Sequence, residues 1–150
     1  MSRRSLLALL PTIVLFATGC GGDGTSRVSG TVKFAGQPVK AGKIYFTPDG
    51  AKGNSGPTGY AEIIDGAYDT SAAGGRGAGK GAMIVAIEGR DPSQAGKTEK
   101  GDTSGEVTVK TLFPRYETTA DLPGGATTKD FEVPADAAKP KPNAGNFVVP

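Results

Sequence analysis

The chain has 150 residues, with 17 Lys and Arg against 15 Asp and Glu, no His, no Trp, one Cys, 24 Gly and 11 Pro. A composition without histidine excludes Ser-His-Asp hydrolysis, His-ligated zinc and any imidazole general base, and the near-balanced, scattered charge lacks the basic stripe that nucleic-acid binding leaves. So many turn formers exclude a helical bundle, while the apolar content is too high for full disorder, so a small all-β protein is expected.

Arg3 and Arg4 precede an apolar stretch over residues 6–16, which runs into Leu15-Phe16-Ala17-Thr18-Gly19-Cys20. A basic start, a short apolar region and small residues before the cut are the three parts of a secretory signal. The stretch falls short of the ~18–20 residues that a permanent bilayer span requires. The only cysteine, Cys20, stands where a bacterial lipoprotein signal is cleaved and acylated, although Ala17 occupies a position where a larger aliphatic residue is commoner. The rival reading leaves Cys20 as a spare thiol beside an ordinary export signal. On the lipoprotein reading, two or three acyl chains on Cys20, at ~0.8 kcal/mol per buried CH₂, hold the chain to a membrane. Localisation is then exported and lipid-anchored to the bacterial cell envelope, on the outer membrane, facing the periplasm or the cell surface.

Cleavage before Cys20 removes Arg3 and Arg4 and no acid, leaving 15 basic residues against 15 acidic ones. With Cys20 acylated no intrachain disulfide is available, so one hydrophobic core must hold the domain. The expected organisation is a signal peptide over 1–19, a Gly-rich tether over 20–26, one β domain over 27–134 and a Pro/Ala/Lys-rich tail over 135–150.

Arg27-Val28-Ser29-Gly30-Thr31-Val32-Lys33-Phe34 alternates with Val28, Val32 and Phe34 on one face, the pattern of a half-buried strand. Ala35-Gly36-Gln37-Pro38 makes a turn, and Lys43-Ile44-Tyr45-Phe46-Thr47 alternates again with Ile44 and Phe46 inward. Tyr60-Ala61-Glu62-Ile63-Ile64 and Ala67-Tyr68-Asp69-Thr70 flank Asp65-Gly66, a strong hairpin signal because a type I′ turn needs positive φ at both central residues. Met83-Ile84-Val85-Ala86-Ile87 is a continuous apolar run, expected as a central strand buried on both faces. Residues 89–105 read as a long polar loop. Val107, Val109 and Leu112 suggest a short edge strand, and Lys129-Asp130-Phe131-Glu132-Val133 alternates with Phe131 and Val133 inward. Phe147-Val148-Val149 in the tail docks or frays. Six or seven short strands without a convincing helix predict a single β-sandwich.

Val28-Ser29-Gly30-Thr31-Val32, Gly36-Gln37-Pro38-Val39 and Gly42-Lys43-Ile44-Tyr45-Phe46 resemble the opening of carboxypeptidase regulatory-like, transthyretin-related domains. Asp65-Gly66 with Tyr68, Gly79-Lys80-Gly81, and Leu112-Phe113-Pro114 with Tyr116 resemble short single-domain lipoproteins of planctomycete bacteria. The resemblance covers residues 27–134 and implies a seven-stranded prealbumin-like, Ig-like sandwich without general catalytic activity. It carries over no site residue, and the histidines on which transthyretin-related hydrolases depend are missing from this chain.

Several local patterns imitate chemistry. Gly74-Gly75-Arg76-Gly77-Ala78-Gly79-Lys80-Gly81 approaches a phosphate-binding loop, but Gly81 replaces the Mg²⁺-binding hydroxyl and a strand-like run follows where a helix is needed. Ser55 lies in Gly53-Asn54-Ser55-Gly56 with no histidine to activate it. Glu62, Asp65 and Asp69 include possible paired carboxylates, and Asp49, Asn54, Asp65, Asp91 and Asp102 offer oxygen ligands for calcium, although no D-x-D-x-D-G run is present. Tyr45 and Tyr60 stand beside polar residues and either stack on a sugar ring or cover the sheet. The expected function is a lipid-anchored, non-enzymatic envelope protein in a structural or protein-interaction role, with Cys20 carrying the anchor and with no cofactor, metal or nucleic acid. The rival is a carbohydrate or peptidoglycan binder, calcium-assisted in one version, with Tyr45 and Tyr60 facing the ligand. A hydrolase working without histidine comes third. The partners are the membrane, through the acyl chains, and an unknown envelope protein or polysaccharide.

Overall fold

Period-two alternation folds as strand throughout the first half of the chain. A computed structural model describes residues 24–94 and 110–139; Cys20, the signal segment, Asp102, Val107, Val109 and Phe147-Val148-Val149 lie outside them. Nine strands occur among the described residues: β1 (Val28–Phe34), β2 (Gln37–Pro38), β3 (Ala41–Pro48), β4 (Gly59–Ile64), β5 (Ala67–Asp69), β6 (Gly81–Asp91), β7 (Lys110–Leu122), β8 (Thr127–Thr128) and β9 (Phe131–Val133). They form one curled sheet in which β1-β5-β4-β3-β6-β7 follow in order, β2 continues the β5 edge of β1, β8 and β9 run parallel to β1 along its other edge, and all other pairs are antiparallel. The fold is all-β, and its shape is a half-closed barrel.

Two tight turns set the register of the first hairpins. Asp65 (φ 48°) and Gly66 (φ 83°) both lie in the left-handed region, as a type I′ turn demands, and Ile64 pairs with Ala67 across them. Ala35 (φ 50°) and Gly36 (φ 78°) repeat the geometry between Phe34 and Gln37.

The inward residues of each strand meet inside the curl. Val28 and Val32 of β1, Ile44 and Phe46 of β3, Ala61 and Ile63 of β4, and Met83, Val85 and Ile87 of β6 are buried with Phe113, Leu122, Phe131 and Val133. Aromatic contacts tie the two ends of the sheet together. The rings of Phe34 and Phe113 are 4.9 Å apart, and Phe46, Tyr68 and Phe131 form a cluster at 5.9–6.2 Å.

Three expectations need correction. Strand β6 runs on to Asp91, so the polar loop expected over 89–105 does not begin at Gly89. The run 83–87 is buried on one face only, since among the described residues no second layer covers the outside of the sheet and Ile84 remains 37% exposed. Ala86 is buried because it is short and flanked by its cross-strand partners Tyr45 and Glu117. The expected short edge strand around Leu112 is instead the 13-residue β7. Its register against β6 shifts between Ile87 and Gly89 and again between Gly89 and Arg90. Each shift puts an extra residue on β7, so inward Phe113 and Tyr116 stand three apart and the alternation breaks. Beyond Pro134 a 3-10 turn, Ala135–Ala138, continues the fold and packs Ala137 against the core.

Candidate functional site

The outside of β4-β3-β6-β7 carries the densest set of interacting polar and aromatic side chains. Because strands alternate, the outward positions fall into rows across the sheet. Tyr60, Tyr45, Ala86 and Glu117 make one row by direct pairing. Glu62, Lys43 and Glu88 make the next, and Arg115, on the bulged part of β7, completes it through its contact with Glu88.

Lys43 and Arg115 organise this face. The ammonium of Lys43 is 3.2 Å from Glu62 and sits over the rings of Tyr60 (5.2 Å) and Tyr45 (5.9 Å). Hydrogen bonding to Glu62 and its nearby negative charge hold Lys43 above its ordinary pKa. The Arg115 guanidinium reaches Glu88 at 3.3 Å and Glu117 at 3.2 Å and lies 5.4 Å from the centre of the Tyr45 ring. Solvent-exposed ion pairs of this kind contribute ~0–1 kcal/mol each to stability, so the lattice orders the face more than it holds the fold. Cations over tyrosine rings and carboxylates at fixed spacing make a surface that can bind by stacking and by paired hydrogen bonds.

Both tyrosines singled out in the sequence are brought together here as cross-strand partners, half-buried and on the solvent side. The sequence reading missed Lys43, Glu88, Arg115 and Glu117. Alternation already placed Lys43 outward beside Tyr45, and the register Ile87↔Tyr116 carries Arg115 to the outer face opposite Glu88.

The other candidates are dispersed. Asp49 accepts a hydrogen bond from the amide of Ala51 and caps a 3-10 turn, while Asn54 donates to the carbonyls of Lys80 and Ala82. Asp65 lies in its hairpin turn with Lys40 3.4 Å away, and Asp91 accepts from the amide and hydroxyl of Ser93. Among the described residues no three His, Cys, Asp or Glu side chains gather as metal ligands. Asp69 binds Arg27 at 2.6 Å and accepts from the amide and hydroxyl of Ser71. These bonds, the one from Arg27 first, drive its carboxyl well below the ordinary range. Glu62, Asp65 and Asp69 thus each have a separate partner, unlike a working carboxylate pair facing one substrate. In the glycine-rich segment, Arg76 exchanges backbone hydrogen bonds with Tyr60, and Ala78 with Ser26, so amides a phosphate would need are already engaged. The amide of Ser55 donates to the side-chain oxygen of Asn54.

A cleft of ≈ 270 Å³ lies where β7 approaches the turn after β9. It is lined by Pro114, Tyr116 and Ala137 with Arg115, Glu117 and Asp136 around it. No model of a known protein family matches the chain, and no curated protein is similar to it.

Proposed function

We propose that the chain is an exported bacterial envelope lipoprotein, held to the membrane by acyl chains on Cys20, whose β domain serves a non-enzymatic interaction role. Its contact surface is the outer face of β4-β3-β6-β7. The observation that carries the reading is the concentration of Tyr45, Tyr60, Lys43 and Arg115 on a sheet face that no other described residues cover. The apolar run ahead of Cys20 and the Gly-rich tether behind it support the anchor. The finer architecture belongs to the same proposal. Support for a prealbumin-like sandwich comes from the run of seven paired strands β1 to β7 and from Phe34 on Phe113, which brings the two ends of the sheet together.

Cys20→Ser tests the anchor: the variant is expected in the soluble fraction with an unchanged far-UV circular dichroism spectrum. A variant that stays with the membrane defeats the lipoprotein reading. A carbohydrate-binding role is the second reading, favoured by the side-by-side tyrosines. It requires that Tyr45→Ala or Tyr60→Ala abolish binding to an envelope polysaccharide without lowering Tm.

A further inference from the structure

The charges on the outer face alternate across the four strands: Glu62 on β4, Lys43 on β3, Glu88 on β6 and Arg115 on β7. A row with the order minus, plus, minus, plus is complementary to itself reversed. We propose, resting on the reading of this face as the contact surface, that its partner is a second copy of the chain. The two sheets pack face to face about a two-fold axis that runs along the strands between β3 and β6.

That axis places Glu62 opposite the partner's Arg115 and Lys43 opposite the partner's Glu88. Each pair occurs twice, because a two-fold interface uses the same patch on both copies. The next row fits the same operation. Tyr60 meets the partner's Glu117, whose carboxylate accepts from the phenol, and Tyr45 faces the low point that Ala86, the shortest side chain of its row and covered by its own neighbours, leaves in the partner's face. One row further, the exposed Ile84 lands on the partner's Thr47, its neighbour on β3 being Thr47 as well. A polyanion fits less well, since Glu62, Glu88 and Glu117 outnumber the two cations that bind them.

Magnitude sets the kind of dimer. Strands ~4.8 Å apart and rows ~7 Å apart make the patch on the order of 400 Å² per copy. Two such patches fall in the small, reversible class of interfaces, below ~1,200 Å² in total. Acyl anchoring confines copies to one surface and raises their effective concentration, which lets a weak contact form.

The test is sedimentation equilibrium of the whole chain in mild detergent over a series reaching the millimolar range. The wild type is expected to pass from monomer to dimer. Glu62→Arg sets two guanidinium groups against each other across the axis and Arg115→Glu sets two carboxylates, so each weakens association by about tenfold or more. Within one chain positions 62 and 115 are three strand spacings apart, ~14 Å, too far to pair. The double variant restores unlike charges only between copies, and its association is expected to return toward wild type while both single variants remain weak. Thermal melts of all four proteins check that each is folded. A chain that is monomeric throughout the series, or a double variant no better than the single ones, overturns the pairing. So does a monomer whose Tyr45 and Tyr60 NMR signals move with a neutral polysaccharide, which would give the face to a glycan. Fractionation of Cys20→Ser reads the anchor separately, so pairing and anchoring can fail independently.

Discussion

Ala35 occupies the left-handed region at φ 50°, where an L side chain crowds its own backbone at a cost of ~1–2 kcal/mol. Its neighbour Gly36 has no such cost, and asparagine at position 35 would tolerate the turn. Ala35→Asn is therefore expected to stabilise the fold by about 0.5–1 kcal/mol, read as a higher urea midpoint at unchanged slope. Asp69 behaves oppositely, as a group whose folded pKa lies below its unfolded one. The hydrogen bonds from Arg27 and Ser71 favour its charged form, and Thr31 does the same for Asp130 through its amide and hydroxyl. The stability these carboxylates add is complete above the unfolded value of ~3.9 and is lost as the pH falls toward the folded values. Denaturation midpoints of the wild type should drop below about pH 4, and Asp69→Asn should flatten part of that drop while lowering stability at neutral pH. An acid limb of equal steepness in the variant would mean that Asp69 does not drive it.

Strand β1 is the spine of the fold because both its edges are used. β5 and β2 pair with one edge, and β8 and β9 lie parallel along the other. The close approach on that second edge is possible only at Gly30, where a Cβ would collide with the carbonyl oxygen of Lys129. Gly30→Ala must push β8 and β9 away or bend β1, with an expected loss of about 3 kcal/mol in chemical denaturation. The sequence announced the glycine and the alternation of 129–133 but not that the two lie side by side. β2 and β8, of two residues each, have no period to detect, and β7 hides behind two bulges that put its inward residues out of step. Strands with clean alternation were legible: β1, β3 and β9 keep their inward faces as expected. The candidate site divides on the same physics. Tyr45 and Tyr60 were visible as outward neighbours of polar residues, whereas the Arg115 that binds Glu88 and covers Tyr45 depends on a register that only the folded sheet determines.

At the scale of the whole molecule, the first strand cannot be finished until the last has formed. Val32 of β1 pairs with Phe131, and Ala35 donates to the carbonyl of Val133, across nearly the full length of the domain. The amides of Thr127 and Lys129 reach back to the carbonyls of Arg27 and Ser29, and the Tyr68 hydroxyl donates to the carbonyl of Lys129 at 2.6 Å. Pairing so distant in sequence is slow, so refolding in milliseconds to seconds is expected from stopped-flow fluorescence of the tyrosines. A chain ending at Gly124 loses all of these bonds together with Phe131 and Val133. Truncating one buried phenylalanine costs ~3–5 kcal/mol, against a total of ~5–15 kcal/mol for a domain. The loss of Phe131, Val133 and one whole edge of β1 exceeds what a core without disulfides can absorb. The truncated chain should show no cooperative thermal transition, while Phe131→Ala in the full chain should keep one at lower Tm. If the truncated chain melts cooperatively within a few degrees of the full one, β1 to β7 form a self-sufficient sheet and the closure by β8 and β9 along β1 adds nothing decisive to its stability.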